Sequence, residues 1–468
     1  MRWMLALLVT ALLVSPPGVG PAAALSGVDP RPPADSAGGD VTTPTASIRG
    51  WVSSYRLDGT GPVPLTDGRG FVTAWRFDES SGGWAVSAST SQFGPSGSFS
   101  LDGLPAGDYI FEFTSYATAP VMGYYRDGRF WADATVYRFA ATSDNYIGDI
   151  VLRPRPVEFD RISGADRYST AVRISQTVVP SPDRAPVVYL VSGTSFADAL
   201  SAGPAAAYHG GVLLMTPATG LPSVVEQEIT RLAPHRVVIV GGAAAISDVV
   251  EARVRALVGT GGVVERIFGS DRYATSRAIV SDAFPDPVEE AFVATGRNFP
   301  DALSAGPAIS AAGGPLILVD GSQSAIDDAT QTLLTELEVS RVFIAGGNAA
   351  VSGGIESSLS DLLGGAPLPF GEPVTRYSGD NRYETARLIN DAFFSPTEYG
   401  FVASGTGFAD ALAGTPLAAA VDAPIYLAPG SCVRSEDYST MVFSFVRRAY
   451  LLGGPAVLAD SIIAGARC

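Results

Sequence analysis

At 468 residues the chain is too long for one ordinary hydrophobic core, so two to four domains are expected. Its composition, 46% hydrophobic and 17% charged, is that of a globular protein. A formal net charge of −16 excludes nonspecific attraction to nucleic acid or an anionic membrane, though not a local cluster of cations.

The N-terminus reads as a secretory signal over residues 1–24. Arg2 gives a positive start, Trp3 to Val14 a short apolar run, and Ala22-Ala23-Ala24 a small-residue cleavage site. That run is too short to span a bilayer, and no later stretch has about eighteen uninterrupted apolar residues, so the mature protein is expected to have no membrane helix. Without a lipid-attachment Cys or a C-terminal anchor tail, retention at a cell surface is expected to require binding. Residues 25–45, rich in Pro, Gly, Asp and Thr, read as a linker.

Residues 46–153 alternate in short strands: SIRGWVSSY, GRGFVTAWRF, GGWAVSAS, GSFSLDGL, GDYIFEFTSY, ATVYRFAA and NYIGDIVL. Gly, Asp and Pro clusters separate them, the pattern of a small all-β sandwich. The stretch GSFSLDGLPAGDYIFEF resembles the strand–turn–strand signature of prealbumin-like, carboxypeptidase-regulatory-type domains. That resemblance implies a spacer or adhesion module, possessing an unidentified protein partner if any.

From Phe159 the pattern becomes α/β and repeats. RISGADRYSTA begins at Arg161, RIFGSDRYATS at Arg266 and RYSGDNRYETA at Arg376. SGTSFADALSAGP from Ser192 returns as TGRNFPDALSAGP from Thr295 and SGTGFADALAGTP from Ser404. VVIVGGAAAIS from Val237 returns as VFIAGGNAAVS from Val342 and AYLLGGPAVLA from Ala449. Three ordered markers in three copies define repeats at 159–263, 264–373 and 374–468. In the first, Asp166–Thr177, Phe196–Tyr208, Leu221–Leu232 and Ser247–Val258 read as helices. VVYLVS, GVLLMT and RVVIVG read as continuous apolar strands between them. Buried strands alternating with helices predict a Rossmann-like three-layer unit with a parallel sheet.

Ligands of open parallel sheets sit beyond the carboxyl ends of the strands. Ser192-Gly193, Gly241-Gly242 and Gly346-Gly347 stand at such ends. Each precedes a helix whose first N–H groups favour an anion, with Ser195 and Ser247 as candidate caps. The alternative reading is tight αβ packing. These loops spell neither a P-loop nor a dinucleotide fingerprint. Asp198, Asp301 and Asp410 read as carboxylates facing a helix start or nearby loop N–H groups.

The sequence contains no Lys, so its basic contacts are guanidinium groups, suited to bidentate recognition of carboxylate or phosphate. Arg161, Arg167, Tyr168, Arg266, Arg272, Tyr273, Arg376, Arg382 and Tyr383 form the triplicated cationic and aromatic set. They either contact an acidic ligand or hold neighbouring repeats together. Catalytic equipment is not recognisable. His209 and His235 are the only histidines, neither at metal-ligand spacing, and there is no G-x-S-x-G. No catalytic residue, metal or cofactor is expected. Cys432 and Cys468 are the only cysteines; export predicts a disulfide, with two unpaired thiols as the alternative.

Together the three strings resemble the cell wall binding repeat 2 family, over about 310 residues. The resemblance implies a pseudo-trimer of repeats, with ligand contacted near their interfaces. It also implies noncovalent attachment to an anionic polysaccharide or secondary polymer of a Gram-positive wall. An unrecognised carboxylate hydrolase and a structural surface-layer or adhesion protein are the other expectations. The third copy departs from the pattern: Asn381 replaces Asp, Thr415 replaces Gly, and Ala459 replaces Ser.

Overall fold

The computed structural model describes residues 45–54, 63–64, 70–78, 83–90, 97–115, 121–124, 136–139, 145–152, 156–195, 197–364, 372–394, 397–444 and 446–468. The expected secretory signal and linker lie outside the described residues, apart from Thr45, which opens the first strand. Phe196 of the second marker lies outside them too. The chain forms two compact bodies, described separately.

The first body holds β1 (Thr45–Ser54), β2 (Val63–Pro64), β3 (Gly70–Asp78), β4 (Gly83–Thr90), β5 (Ser98–Pro105), β6 (Gly107–Ser115), β7 (Val121–Tyr124), β8 (Tyr137–Phe139) and β9 (Asn145–Leu152). One sheet runs β2-β1-β5 with β9 paired to β1; the other runs β4-β3-β6-β7 with β8 paired to β6. Ile48, Val52, Phe99 and Leu101 from the first pack with Val72, Ala74, Phe111 and Phe113 from the second. Two sheets thus share one core, as their period-2 alternation requires.

The second body contains the three repeats. The first holds β10 (Glu158–Ile162), α1 (Arg167–Val178), β11 (Val187–Ser192), α2 (Ala202–Tyr208), β12 (Val212–Thr216), α3 (Ser223–Leu232), β13 (Arg236–Val240) and α4 (Asp248–Val258). The second holds β14 (Val263–Ile267), α5 (Arg272–Ala283), β15 (Glu290–Thr295), α6 (Pro300–Ala312), β16 (Leu316–Val319), α7 (Asp328–Glu336), β17 (Arg341–Ala345) and α8 (Gly353–Leu362). The third holds β18 (Val374–Tyr377), α9 (Arg382–Phe393), β19 (Tyr399–Ser404), α10 (Ala409–Ala420), β20 (Ile425–Ala428), α11 (Ser435–Phe443) and β21 (Arg448–Leu452).

The sheets are parallel, in the orders β12-β11-β13-β14, β16-β15-β17-β18 and β20-β19-β21-β10. Each therefore has a fourth strand that the sequence reading did not assign, and that strand comes from the next repeat. Because β10 of the first repeat completes the sheet of the third, the exchange closes into a ring. Strands β11, β12 and β19 are buried along their whole length, which is why they are unbroken apolar runs.

The small-residue helices α2, α6 and α10 touch one another at the centre. A Cβ on Gly203 would lie 3.0 Å from Thr415 Cβ, and one on Gly306 would lie 3.4 Å from Thr415 Oγ1. One Thr in the third repeat thus fills space that two Gly leave open. That accounts for its departure from the Ala-Gly-Pro pattern.

Two expectations are corrected. The first repeat's helix begins at Ala202 rather than Phe196, leaving Asp198 in a turn before it. The third repeat has turns over 460–465 where the first two have a last helix, and the chain from Ala466 to Cys468 lies beside the loop before α11. There Val433 bridges Arg467, and Cys432 is disulfide-bonded to Cys468.

Candidate polymer-binding seams

Each fixed letter of the first marker has a physical task. Asp166, Asp271 and Asn381 are N-caps: their side-chain oxygens accept from backbone N–H groups in the first turns of α1, α5 and α9. An amide oxygen caps as well as a carboxylate, so the Asn381 departure costs the helix little. Thr170, Thr275 and Thr385 accept from the backbone N–H of Gly164, Gly269 and Gly379 at 3.0–3.1 Å. A Cβ on any of these Gly would strike the adjacent helical turn, at 2.6 Å or less.

Arg161, Arg266 and Arg376 act as clamps between a borrowed strand and its host sheet. Arg266 Nη1 donates to the Gly241 and Ile246 carbonyls at 2.8 Å, and its Nε to Glu251 at 2.7 Å. Arg376 repeats this with Gly346, Val351 and Glu356. Arg161 repeats it across the ring closure, with Gly453, Leu458 and Asp460. All three side chains are only 12% exposed. They were expected among the polymer contacts; their guanidinium groups instead turn inward and donate to carbonyls and carboxylates of the host repeat.

Arg167, Arg272 and Arg382 differ. Each spends one Nη1 on the loop that ends a central strand. Arg272 donates to the Gly296 carbonyl and Arg382 to the Gly405 carbonyl, both at 2.6 Å, and Arg167 donates to that of Gly193. Arg167 remains exposed and the other two half-exposed. Tyr168, Tyr273 and Tyr383 press their rings against Gly193, Gly296 and Gly405, where a Cβ would lie 2.3–2.7 Å from the ring. Glycine there is a requirement of the aromatic contact.

These pairs face the preceding repeat. Asp198 feels Arg272, Asp301 feels Arg382, and Asp410 feels Arg167. The Arg167 guanidinium also lies 5.7 Å from the Phe408 ring centroid. Gly241, Gly346 and Gly453 have φ of 99–116° and lie directly over Asp198, Asp301 and Asp410. Gly242 and Gly347 follow them, both half-exposed, on the same loops. Burial raises all three carboxyl pKa values, that of Asp410 to about 6, against the opposing pull of the facing Arg.

Three seams therefore bring together an Arg and a Tyr from one repeat with a half-buried Asp and a Gly-Gly loop from the repeat before. An Arg fork suits phosphate or carboxylate, a Tyr wall suits a sugar face, and the Asp accepts from hydroxyls. The sequence grouped Arg, Tyr and Gly; it left out the Asp, whose signal was its fixed place in F-x-D-A-L. Ser192 stays buried, binding Thr194 and the Ser195 N–H, while Ser247 makes no side-chain cap. Among the described residues, no group of three or more His, Cys, Asp or Glu is placed to hold a metal ion. Among them, too, no helix is long and apolar enough to cross a membrane.

Comparison with known proteins agrees with this architecture. The chain is 30% identical over 259 residues to N-acetylmuramoyl-L-alanine amidase LytC of Bacillus subtilis (strain 168), covering 55% of this chain and 48% of that one. It is 29% identical over 294 residues to the amidase enhancer of the same organism, covering 61% and 38%. It thus spans less than half the length of these relatives. Among solved structures, Cwp6 from Clostridium difficile aligns with a TM-score of 0.58 at 18% identity, over 89% of this chain and 67% of that one. Cwp8 from the same organism aligns at 0.57 and 22%, over 77% and 59%. Residues 161–251, 266–356 and 376–463 each match the family model for cell wall binding domain 2. These matches cover more than half of the sequence, and the chain belongs to the cell wall binding domain 2 family.

Proposed function

We propose that this is an exported, wall-associated protein that attaches noncovalently to a Gram-positive cell wall by binding an anionic wall polymer. The supporting observation is the triplicated seam, where Arg167, exposed, and Arg272 and Arg382, half-exposed, each stand beside a Tyr packed on a strand-end Gly. Three weak sites on one rigid body gain avidity on a repeating polymer. The local guanidinium groups supply the attraction that a net charge of −16 opposes.

In this reading the pseudo-trimer is the anchor and the prealbumin-like β body is what it displays. Relatives named as an amidase and an amidase enhancer share the repeats over part of their length. We assign this chain the binding role and no catalysis. Cosedimentation of the mature chain with purified walls, before and after acid extraction of secondary polymers, is the test. Binding should vanish with the polymers; binding that survives extraction rejects an anionic polymer as the ligand. Loss of turbidity in a wall suspension would instead support a hydrolase.

A further inference from the structure

The three seams carry the same Arg and Tyr, yet they are not chemically alike. Two positions separate them, and both exceptions fall where the second repeat faces the first.

The first position directly follows the strand that each repeat lends to its neighbour's sheet. It is Ser163 after β10, Phe268 after β14 and Ser378 after β18. Phe268 is 58% exposed, so it buries too little to serve the core. Its ring stands beside the Gly-Gly loop of the first repeat, where a Cβ on Gly242 would be 3.8 Å from Phe268 Cδ2. At the next seam the atom in that place is the Ser378 Cβ, 3.7 Å from a Cβ on Gly347. A single exposed aromatic is ordinary on a protein surface; one set on the loop above Asp198, where the sibling repeats keep Ser, adds a ring face to the candidate site.

The second position follows the Gly on which the Tyr ring packs. Thr194 and Thr406 turn back there, their hydroxyls 3.1 Å from Ser192 Oγ and 2.9 Å from Ser404 Oγ. Arg297 takes that place in the second repeat, and its side chain is 59% exposed. Its ion pair with Asp320 is long, at 3.7 Å, and the Asp320 oxygens accept from Ser322 and Gln323. Arg297 adjoins Gly296, whose carbonyl accepts from Arg272, and the charges of both guanidinium groups reach Tyr273.

We propose that the seam between the first and second repeats is the principal polymer site, where Phe268 stacks on a sugar ring and Arg272 and Arg297 together hold the anionic group of the same polymer unit. The inference rests on the wall-binding reading and adds that the three seams contribute unequally. An aromatic face covers the C–H face of a pyranose, and two guanidinium groups offer an anion more donors than one. Aromatic and Arg side chains are also those that dominate binding energy where they cluster.

Cosedimentation isotherms of the full mature chain on purified walls test it. Phe268→Ser and Arg297→Thr each install the residue of the sibling repeats, so the fold should hold. Each should weaken wall binding about fivefold or more, and the two together about twentyfold or more. Arg297→Thr should also flatten the dependence on salt. Phe268→Trp should keep about threefold more of the binding than Phe268→Leu, because a flat ring face is what the site uses. Wild type that fails to bind walls overturns the wall reading and this inference with it. Wild type that binds, with both sibling-residue variants equal to it, overturns this inference alone, as does equal binding by the Leu and Trp variants. A change of oligomeric state in Phe268→Ser without a change in wall binding would make the ring a contact between copies and likewise overturn it.

Discussion

Arg161 Nη1 donates to the Gly453 carbonyl at 2.6 Å, across 292 positions of sequence. Its Nη2 reaches the Leu458 carbonyl at 2.8 Å and Asp460 at 3.0 Å. One side chain thus fastens β10 to the sheet of the last repeat, at the point where the ring closes. Removing it leaves two carbonyls without their charged donor, a loss of about 2–4 kcal/mol. Arg161→Ala should lower the thermal midpoint of the α/β body by several degrees. A midpoint equal to wild type would show that the closure does not depend on this clamp.

Arg167 and Arg272 should behave in the opposite way. Each donates to a loop carbonyl, and Arg167 is exposed while Arg272 is half-exposed. Arg167→Ala with Arg272→Ala removes two of three proposed contacts and should weaken wall binding by roughly 10²-fold through lost avidity. The melting midpoint should move little. If the double variant unfolds earlier while its residual binding is intact, these Arg lock repeats and do not hold polymer.

Asp437 in α11 is buried, and neither carboxylate oxygen has a hydrogen-bond partner among the described residues. Burial raises its pKa to about 7, opposed by Arg434 and Arg387 and assisted by Glu436 and Asp391. The unfolded value is near 4, so between about pH 4 and 7 the folded chain holds a proton that the unfolded chain has lost. The associated stability is fully present below about pH 4 and is lost as pH rises through 7. Asp410, raised to about 6, acts in the same direction. Asp437→Asn should leave the melting midpoint at pH 4 nearly unchanged and raise it at pH 8. A variant and wild type with parallel pH profiles would place the carboxyl in a better-solvated site.

The ring is the part of this fold that the sequence conceals. R-x-x-G-x-D/N-R-Y-x-T-A was legible as a marker because most of its letters serve local geometry: a cap, a close turn, a Thr bond, a Tyr packed on Gly. Arg161 looked the same as Arg167 in the string, yet its partners lie at the other end of the body. Strands β10, β14 and β18 were missed because they are partly exposed edges whose residues do not form an apolar run. The Asp members of the seams were seen but not grouped with Arg, because the groups meet only through contacts between repeats. Asn381, Thr415 and Ala459 stood out in the sequence as departures of the third copy from the pattern. Each has a structural answer, and Ala459 keeps the backbone bond to Gly430 that Ser352 makes to Gly321.

The disulfide replaces a helix. The third repeat lacks a counterpart of α4 and α8 and instead ties Cys468 beside Val433, with Arg467 3.5 Å from the Tyr438 ring centroid. The linked residues are 36 apart, which in the loop-entropy model stabilises by about 3–4 kcal/mol. Reduction, or Cys432→Ser with Cys468→Ser, should lower the melting midpoint and increase hydrogen exchange first around α11. Equal midpoints with and without reductant would mean the surrounding bonds hold the tail alone.

The centre of the ring offers the sharpest packing test. Gly203 faces Thr415 so closely that a Cβ on it would be 3.0 Å from Thr415 Cβ, tighter than ordinary contact. Interiors pack to near-crystalline density, so added volume there displaces helices and does not simply fill a void. Gly203→Thr should destabilise the α/β body by about 1–3 kcal/mol through overpacking. Adding Thr415→Gly restores one Thr and two Gly to the same meeting point and should recover a large part of the loss. Independent effects would add, making the double variant worse than either single one. Recovery in the double variant would establish that the three repeats share one central site whose volume is fixed, whichever repeat supplies the Thr.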